Sequence, residues 1–223
     1  EYNDPRLSRA FITKQGTSGK EQAPGTADNA VYAPNGTPEQ GTSKYGTSLF
    51  MYSISAPTLL LSYHELKFLE AEALCRLGRD AKSALKDAVV AGLLNAESSF
   101  SVSRKELGKT LINPASSITD TEAESYFDNT VEAKYTAEPL KTTMTQKYFA
   151  LWGASGEATE SYNDVRRMKG LGENFIELKN PNSFPLRCPY GNSDTTTNAE
   201  VKAAYGNGQY VYSENVWWAG GSR

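Results

Sequence analysis

Aromatic residues with no periodic partner invite a chemical reading first. Tyr32, Tyr45, Phe50 and Tyr52 punctuate a background of Gly, Thr, Ser, Pro, Asn and Gln. Ring faces in such surroundings cover apolar C–H surface while neighbouring amides and hydroxyls supply hydrogen bonds, which suits an uncharged amphipathic ligand such as a sugar or a peptide. Other reactive types are sparse. The single histidine, His64, has no second His or Cys at metal-ligand spacing, so a structural or surface role is expected and no metal site is assigned. Glu65 and Glu72 are near neighbours around a helix and Glu70 is displaced. They could act on a glycosidic bond only with a further carboxylate across a cleft, so solvated charge and capping are expected of them. Arg166-Arg167 after Asn163-Asp164 fits a helix end whose cations complement the dipole and hold the following loop. Trp217 and Trp218 are expected to pin the end of the chain. No G-x-S-x-G elbow, P-loop, G-x-G-x-x-G turn or C-x-x-C pair occurs, so no catalytic residue and no cofactor is assigned.

The elements that must position these residues are helical. Leu66, Leu69, Ala73 and Leu77 recur at helical spacing, with Phe68, Ala71 and Cys75 as a second apolar row, which predicts a helix covered on two sides. Ser62 and Glu65 stand at capping-box spacing and Gly78 is the stop. A second helix carries Ala81, Ala84, Leu85, Ala88, Val89, Gly92 and Leu93 as far as about Asn95. The pair has the look of a tetratricopeptide unit, which needs further helices stacked upon it. Ser98 to Ser117 reads as mixed structure bounded by Pro114. A third helix spans Thr119 to Tyr135, capped by Thr121 and Glu124, with Ala123, Tyr126, Phe127 and Val131 inward. A fourth starts near Thr136, tolerates Pro139 in its first turn, and turns Leu140, Met144, Tyr148, Leu151 and Trp152 to one face. A fifth runs from about Glu157 to Met168, with Ala158, Tyr162 and Val165 inward. Lys14 to Ser48 reads as one long loop, and Pro181, Pro185 and Pro189 deny regular structure after Glu173.

Composition narrows the partners. The chain has 223 residues, with 23 basic against 26 acidic side chains, a net charge of -3 and no dense Lys/Arg run, so nucleic acid is not an expected partner. No apolar run approaches the roughly 20 residues that span a bilayer. Cys75 and Cys188 lie far apart in sequence and are expected to be separate thiols.

An ordered set of blocks adds a family reading. Asp4-Pro5-Arg6-Leu7, then LSYHELKFLEAEALCRLGR, QKYFALWG, YNDVRR, FPLRCPY followed by Asn198, and ENVWW together resemble the C-terminal half of SusD/RagB-family proteins, in the SusD-like branch. Val165 stands where the family usually has Trp, and Leu186-Arg187-Cys188 replaces a more typical Arg-Arg-Leu. The resemblance implies a mostly α fold of tetratricopeptide-like helix pairs with long irregular loops. The whole chain, 1–223, would be the C-terminal portion of a single SusD-like domain: 14–52 a ligand-face loop, 57–172 the helical scaffold, and 173–223 an irregular tail packed on the helices. It also implies a non-catalytic, surface-exposed lipoprotein of the outer membrane, anchored through a lipid upstream of this stretch. Such a protein captures glycans, or in some branches peptides, for import through a TonB-dependent transporter of the SusC type. On this reading Tyr32, Tyr45, Phe50 and Tyr52 are the candidate ligand-binding residues. A tetratricopeptide-like module binding a protein or peptide without sugar is the alternative.

Overall fold

The computed structural model describes residues 2–15, 19–22, 47–112, 114–177 and 184–221. They fall into two compact units, one running through Glu177 and the other lying beyond it. Helices dominate the first. Helix α1 spans Tyr63–Arg76. The Ser62 hydroxyl accepts the Glu65 amide at 3.1 Å, as the spacing predicts. The reciprocal half of the box is filled from elsewhere: the Ser62 amide donates to Glu157 Oε1, 95 residues along the chain. Gly78 at φ +67° ends the helix, with the Arg79 amide bonded to the Leu74 carbonyl at 2.9 Å.

The two-sided burial expected of α1 is not what forms. Leu66 and Leu69 are 52% and 42% exposed, and Leu77 is more exposed still. The buried face is instead His64, Glu65, Phe68, Ala71 and Glu72. The expectation of solvated glutamates fails for Glu65 and Glu72, because partners on later helices make their burial affordable. Arg167 holds Glu72 through two guanidinium nitrogens, the longer contact being 2.8 Å, and Arg76 Nε meets the same carboxylate at 2.7 Å.

Helix α2, Lys82–Leu107, continues well past Asn95. Its serine-rich second half has weak intrinsic helix propensity, but Phe100 and Ser103 are fully buried there, and packing overrides propensity. Helix α3, Asp120–Tyr126, is capped by Thr119, two residues before the expected cap, and its hydroxyl accepts the Glu122 amide at 3.2 Å. The Glu122 carboxylate pairs with Arg9 at 2.9 Å instead of completing a box. A π turn over Phe127–Val131 leads into α4, Glu132–Ala137. The expected stripe of Ala123, Tyr126, Phe127 and Val131 is buried throughout.

Helix α5, Pro139–Ala150, starts on its proline. Its buried face is Thr142, Thr143, Met144, Gln146, Lys147 and Ala150, a more polar set than the expected row, because it lies against the polar side of α1. A 3-10 turn, Ser155–Thr159, precedes α6, Glu160–Gly170, so the fifth helix begins later than expected. Arg76 clasps Glu173 beyond α6 at 2.8 and 2.9 Å.

A small sheet takes two of its strands from the stretch read as loop. Strands β1, Phe11–Gln15, β2, Gly19–Gln22, β3, Thr47–Ser48, and β4, Leu111–Ile112, are ordered β3-β1-β2-β4. Phe11 faces Ser48 across an antiparallel pair, while Lys20 pairs with Leu111 in parallel. The chain then turns through a 3-10 segment, Leu49–Tyr52, whose Leu49 amide bonds the Ala10 carbonyl at 2.7 Å. Arg6 Nη1 donates to the Phe149 carbonyl at 2.8 Å, satisfying a group the end of α5 leaves open.

Among its described residues the second unit holds three short α-helices where regular structure was not expected: α7, Asn192–Thr197, α8, Ala199–Tyr205, and α9, Tyr210–Ser213. Asn198 caps α8, accepting the Glu200 and Val201 amides at 3.0 and 3.3 Å. Tyr190, Tyr205 and Tyr210 pack against one another in tilted and edge-on pairs, with Arg187 over two of the rings. Cys75 and Cys188 are both free thiols. No helix among the described residues is long and apolar enough to cross a membrane.

Helices α2 and α5 approach closely at Gly92, where an added Cβ would stand 3.0 Å from the Ala150 Cβ of α5. Gly92→Val is therefore expected to cost about 1–3 kcal/mol by overpacking. Denaturant unfolding checks this, and an unchanged midpoint would contradict the packing.

Candidate functional site

The sheet and the turn after it bring three aromatic rings together. Phe11 of β1 stacks on Trp152 at 5.4 Å and 28°, and Phe50 meets Trp152 edge-on at 5.0 Å and 89°. The other side of Phe50 packs on buried Phe100 of α2 at 4.8 Å. Gly153 makes this possible. At φ +77° it accepts a backbone conformation closed to most residues, and a Cβ there would lie 2.4 Å from the Phe50 ring.

Beside the rings lies a pocket of 240 Å³. One wall is Phe50, Ser53, Ala56, Pro57 and Leu59, the second is Asn95, Ser98 and Ser99 of α2, and the third is Gly153 and Ser155. Among the described residues the lining carries no charged side chain. The Asn95 amide and the Ser98, Ser99 and Ser155 hydroxyls make no side-chain hydrogen bond among the described residues, so they can serve a bound molecule. Ser155 holds φ +37°, a strained value for a residue with a side chain, and so strain sits in the pocket wall.

The predicted site residues divide. Phe50 lines the pocket. Tyr52 is partly buried against the hydrophobic core in the same turn and does not line it. Tyr32 and Tyr45 lie outside the described residues. Sequence reasoning missed Trp152, taken as core and 40% exposed, and the polar wall of α2. Asn95, Ser98, Ser99 and Val102 share a helical face by spacing, a signal visible once α2 is carried to Leu107.

Beneath the pocket runs a belt of buried charge. Glu157, 2% exposed, accepts the Ser62 amide at Oε1, and its Oε2 stands 3.7 Å from His64 Nε2. His64 Nε2 also lies 3.2 Å from the Ser62 hydroxyl. Burial pushes the His64 imidazole below its usual range, against the pull of Glu157, so the ring is kept neutral. Burial first and then Glu157 push the Glu65 carboxyl up. Burial also works to raise Glu72, but Arg167 and Arg76 outweigh it and hold that carboxylate below its usual range. A second, open cavity of 540 Å³ lies over this belt between α1 and α6, with Glu65, Glu72, Lys147, Asp164 and Arg167 on its walls. These charges are committed to one another: Lys147 pairs with Asp164 at 2.7 Å, and Arg167 with Asp164 at 2.8 Å. The paired arginines thus have the structural role expected of them at Arg167, while Arg166 lies over the Tyr162 ring. No group of three or more His, Cys, Asp or Glu among the described residues could hold a metal ion.

Gly153→Ala is expected to displace the Phe50 ring and destabilise the chain by more than about 1 kcal/mol, since both the space and the backbone angle oppose a side chain. Thermal melting, together with Trp152 emission in a Trp217→Phe, Trp218→Phe background, reads both effects, and an unshifted spectrum would contradict the contact.

Comparison with known proteins places this architecture. A family model described as "Starch-binding associating with outer membrane", SusD-like, matches residues 1–190. A solved SusD/RagB family protein from Bacteroides thetaiotaomicron superimposes with a TM-score of 0.87 at 65% sequence identity. The match covers 100% of this chain and 48% of that one, so the chain spans about half the length of its solved relative. No curated protein matches. The mostly α fold and the ordered sequence blocks therefore have one explanation: this chain belongs to the SusD/RagB family.

Proposed function

We propose that this chain is the ligand-holding part of a non-catalytic nutrient-binding protein of the outer membrane, and that the pocket beside Phe50 receives one unit of a glycan. The observation that carries the reading is the pocket's lining among the described residues: an aromatic ring, hydroxyls and an amide without partners, and no charge, around 240 Å³. That volume is slightly below the ~300–1,000 Å³ of drug-sized sites, which suits a single ring of a longer chain lying across the surface. A sugar offers C–H faces to Phe50 and hydroxyls to Asn95, Ser98 and Ser99. The family description, starch-binding and associated with the outer membrane, is consistent with this. In the same reading the protein is a surface-exposed lipoprotein that passes its ligand to a TonB-dependent transporter of the SusC type. Tyr32 and Tyr45 would extend the ligand face along the polar loop.

The alternative, a protein- or peptide-binding module, has its own observation in the outward row of Tyr63, Leu66, Leu69 and Leu77 on α1. The two readings predict different losses. Calorimetric titration with maltoheptaose, a starch fragment, is expected to show saturable binding. Asn95→Ala and Ser99→Ala, changes at partly exposed positions, should each weaken it by about 1 kcal/mol or more, the worth of a hydrogen bond to an otherwise unpaired group. Leu66→Ser with Leu69→Ser should leave it unchanged. Undiminished binding in the Asn95 and Ser99 variants would move the site elsewhere, and a loss confined to the α1 variant would favour the alternative. No reducing sugar should be released on prolonged incubation.

A further inference from the structure

The buried carboxyl pair under the pocket has an atom without an assigned partner. Glu157 Oε2 is buried and has no hydrogen-bond donor among the described residues, although Oε1 is bonded to the Ser62 amide. Two carboxylates cannot donate to each other. Yet the Glu65 and Glu157 side chains stand within hydrogen-bonding reach, and both are more than nine-tenths buried. A single proton on Glu65 would supply the missing donor. We propose that Glu65 and Glu157 share one proton, and that this proton latches the segment before α1 to the Ser155–Thr159 turn, holding the pocket between them closed.

The two latched segments are the pocket's walls. Leu59 lies three residues before Ser62, and Ser155 two before Glu157. They touch again at Gly156, where an added Cβ would sit 2.4 Å from the Leu59 carbonyl oxygen. With the proton gone, two negative charges would face each other across the gap between α1 and the turn, and they would repel. Repulsion from Glu65 would push the Glu157 side chain away from α1, and its bond to the Ser62 amide would go with it.

Other charges face the pair from every neighbouring element. His64 of α1 is 3.7 Å from Glu157 Oε2, Lys147 of α5 and Glu160 of α6 act on Glu65, and Arg6 of the N-terminal segment acts on His64. Lys147 is the cation best placed to replace the proton, but it is bonded to Asp164 at 2.7 Å. The sign of the effect follows from the raised Glu65 carboxyl. The folded state holds the proton more tightly than the unfolded state, so the stabilisation is complete below the ordinary carboxylate range and is lost as pH rises through the folded value. Burial lowers His64, whose contribution runs the opposite way and is lost as pH falls.

The effect on a ligand rests on reading the pocket as a sugar site; the latch does not. Its test needs no ligand. In a Trp217→Phe, Trp218→Phe background Trp152 is the single tryptophan, and acrylamide quenching reports access to the pocket rim. Quenching should rise with pH above the carboxylate range. Glu65→Gln, and separately Glu157→Gln, put a fixed N–H donor where the proton was, and each should flatten the rise. A pH dependence that survives Glu65→Gln would assign it to His64 and overturn the proposal. Should either variant fail to fold, exchange of the Ser62 amide in the unaltered chain decides: after correction for intrinsic rates, its protection should fall with pH by up to about tenfold per unit, the limit for one linked proton. Constant protection would overturn the latch. Maltoheptaose titrated on both sides of the transition then separates the two readings, since a latch that operates without sugar binding sinks only the sugar site.

Discussion

Charge buried on the inner face of α1 must be paired, and the helical unit is arranged around that requirement. His64, Glu65 and Glu72 face inward with Phe68 and Ala71, while leucines face out. An ionised carboxylate removed from water without partners costs several kcal/mol or more, so the neighbouring helices bring polar groups to α1 in place of aliphatic ones. Helix α5 supplies Lys147, α6 supplies Arg167 and Asp164, and the turn before α6 supplies Glu157. The bidentate grip of Arg167 on Glu72 ties α6 to α1, with the guanidinium fork meeting both carboxylate oxygens. The two inward glutamates answer pH in opposite senses. Glu72, held down by its arginines, loses its contribution as pH falls; Glu65, raised by burial and by Glu157, loses its contribution as pH rises.

The pocket follows from the same arrangement. Glu157 reaches Ser62 because α6 is docked on α1, and this places the 153–157 segment opposite the chain entering α1. The sheet fixes the third side. β1 and β3 set Phe11 and the Leu49–Tyr52 turn in register, which delivers Phe50 onto Gly153 and Trp152. Through Leu59–Ser62 and Ser155–Glu157, a pocket with no charge among its described lining residues thus adjoins a charged belt. Hydrogen bonding to hydroxyls and ring contact remain for the ligand, while the ions are occupied with one another.

Much of the helical frame was legible in the sequence. Ser62 and Gly78 bound α1, Pro139 opens α5, and the stripe from Ala123 to Val131 is buried as periodicity requires. The face that α1 buries was not legible. Its apolar rows and its glutamates compete for the interior, and the outcome depends on Arg167 and Glu157, some 95 residues away. The extent of α2 was hidden by its serines, whose burial depends on the elements that pack around Phe100. The sheet was hidden because β4 lies far from the Gly/Thr-rich stretch it completes, and polar strands of four or five residues leave no clear alternation. At the site, Phe50 could be found because no periodicity required an aromatic there. Asn95, Ser98 and Ser99 could not, since they form a wall only on a helix that continues through them.

The most direct measurement is a backbone amide chemical-shift map of the chain titrated with maltoheptaose. The account predicts saturable shifts concentrated at Ser53, Asn95, Ser98, Ser99, Gly153 and Ser155, together with the Trp152 indole. Shifts absent there, or gathered along the outward face of α1 at Leu66, Leu69 and Leu77, would contradict it.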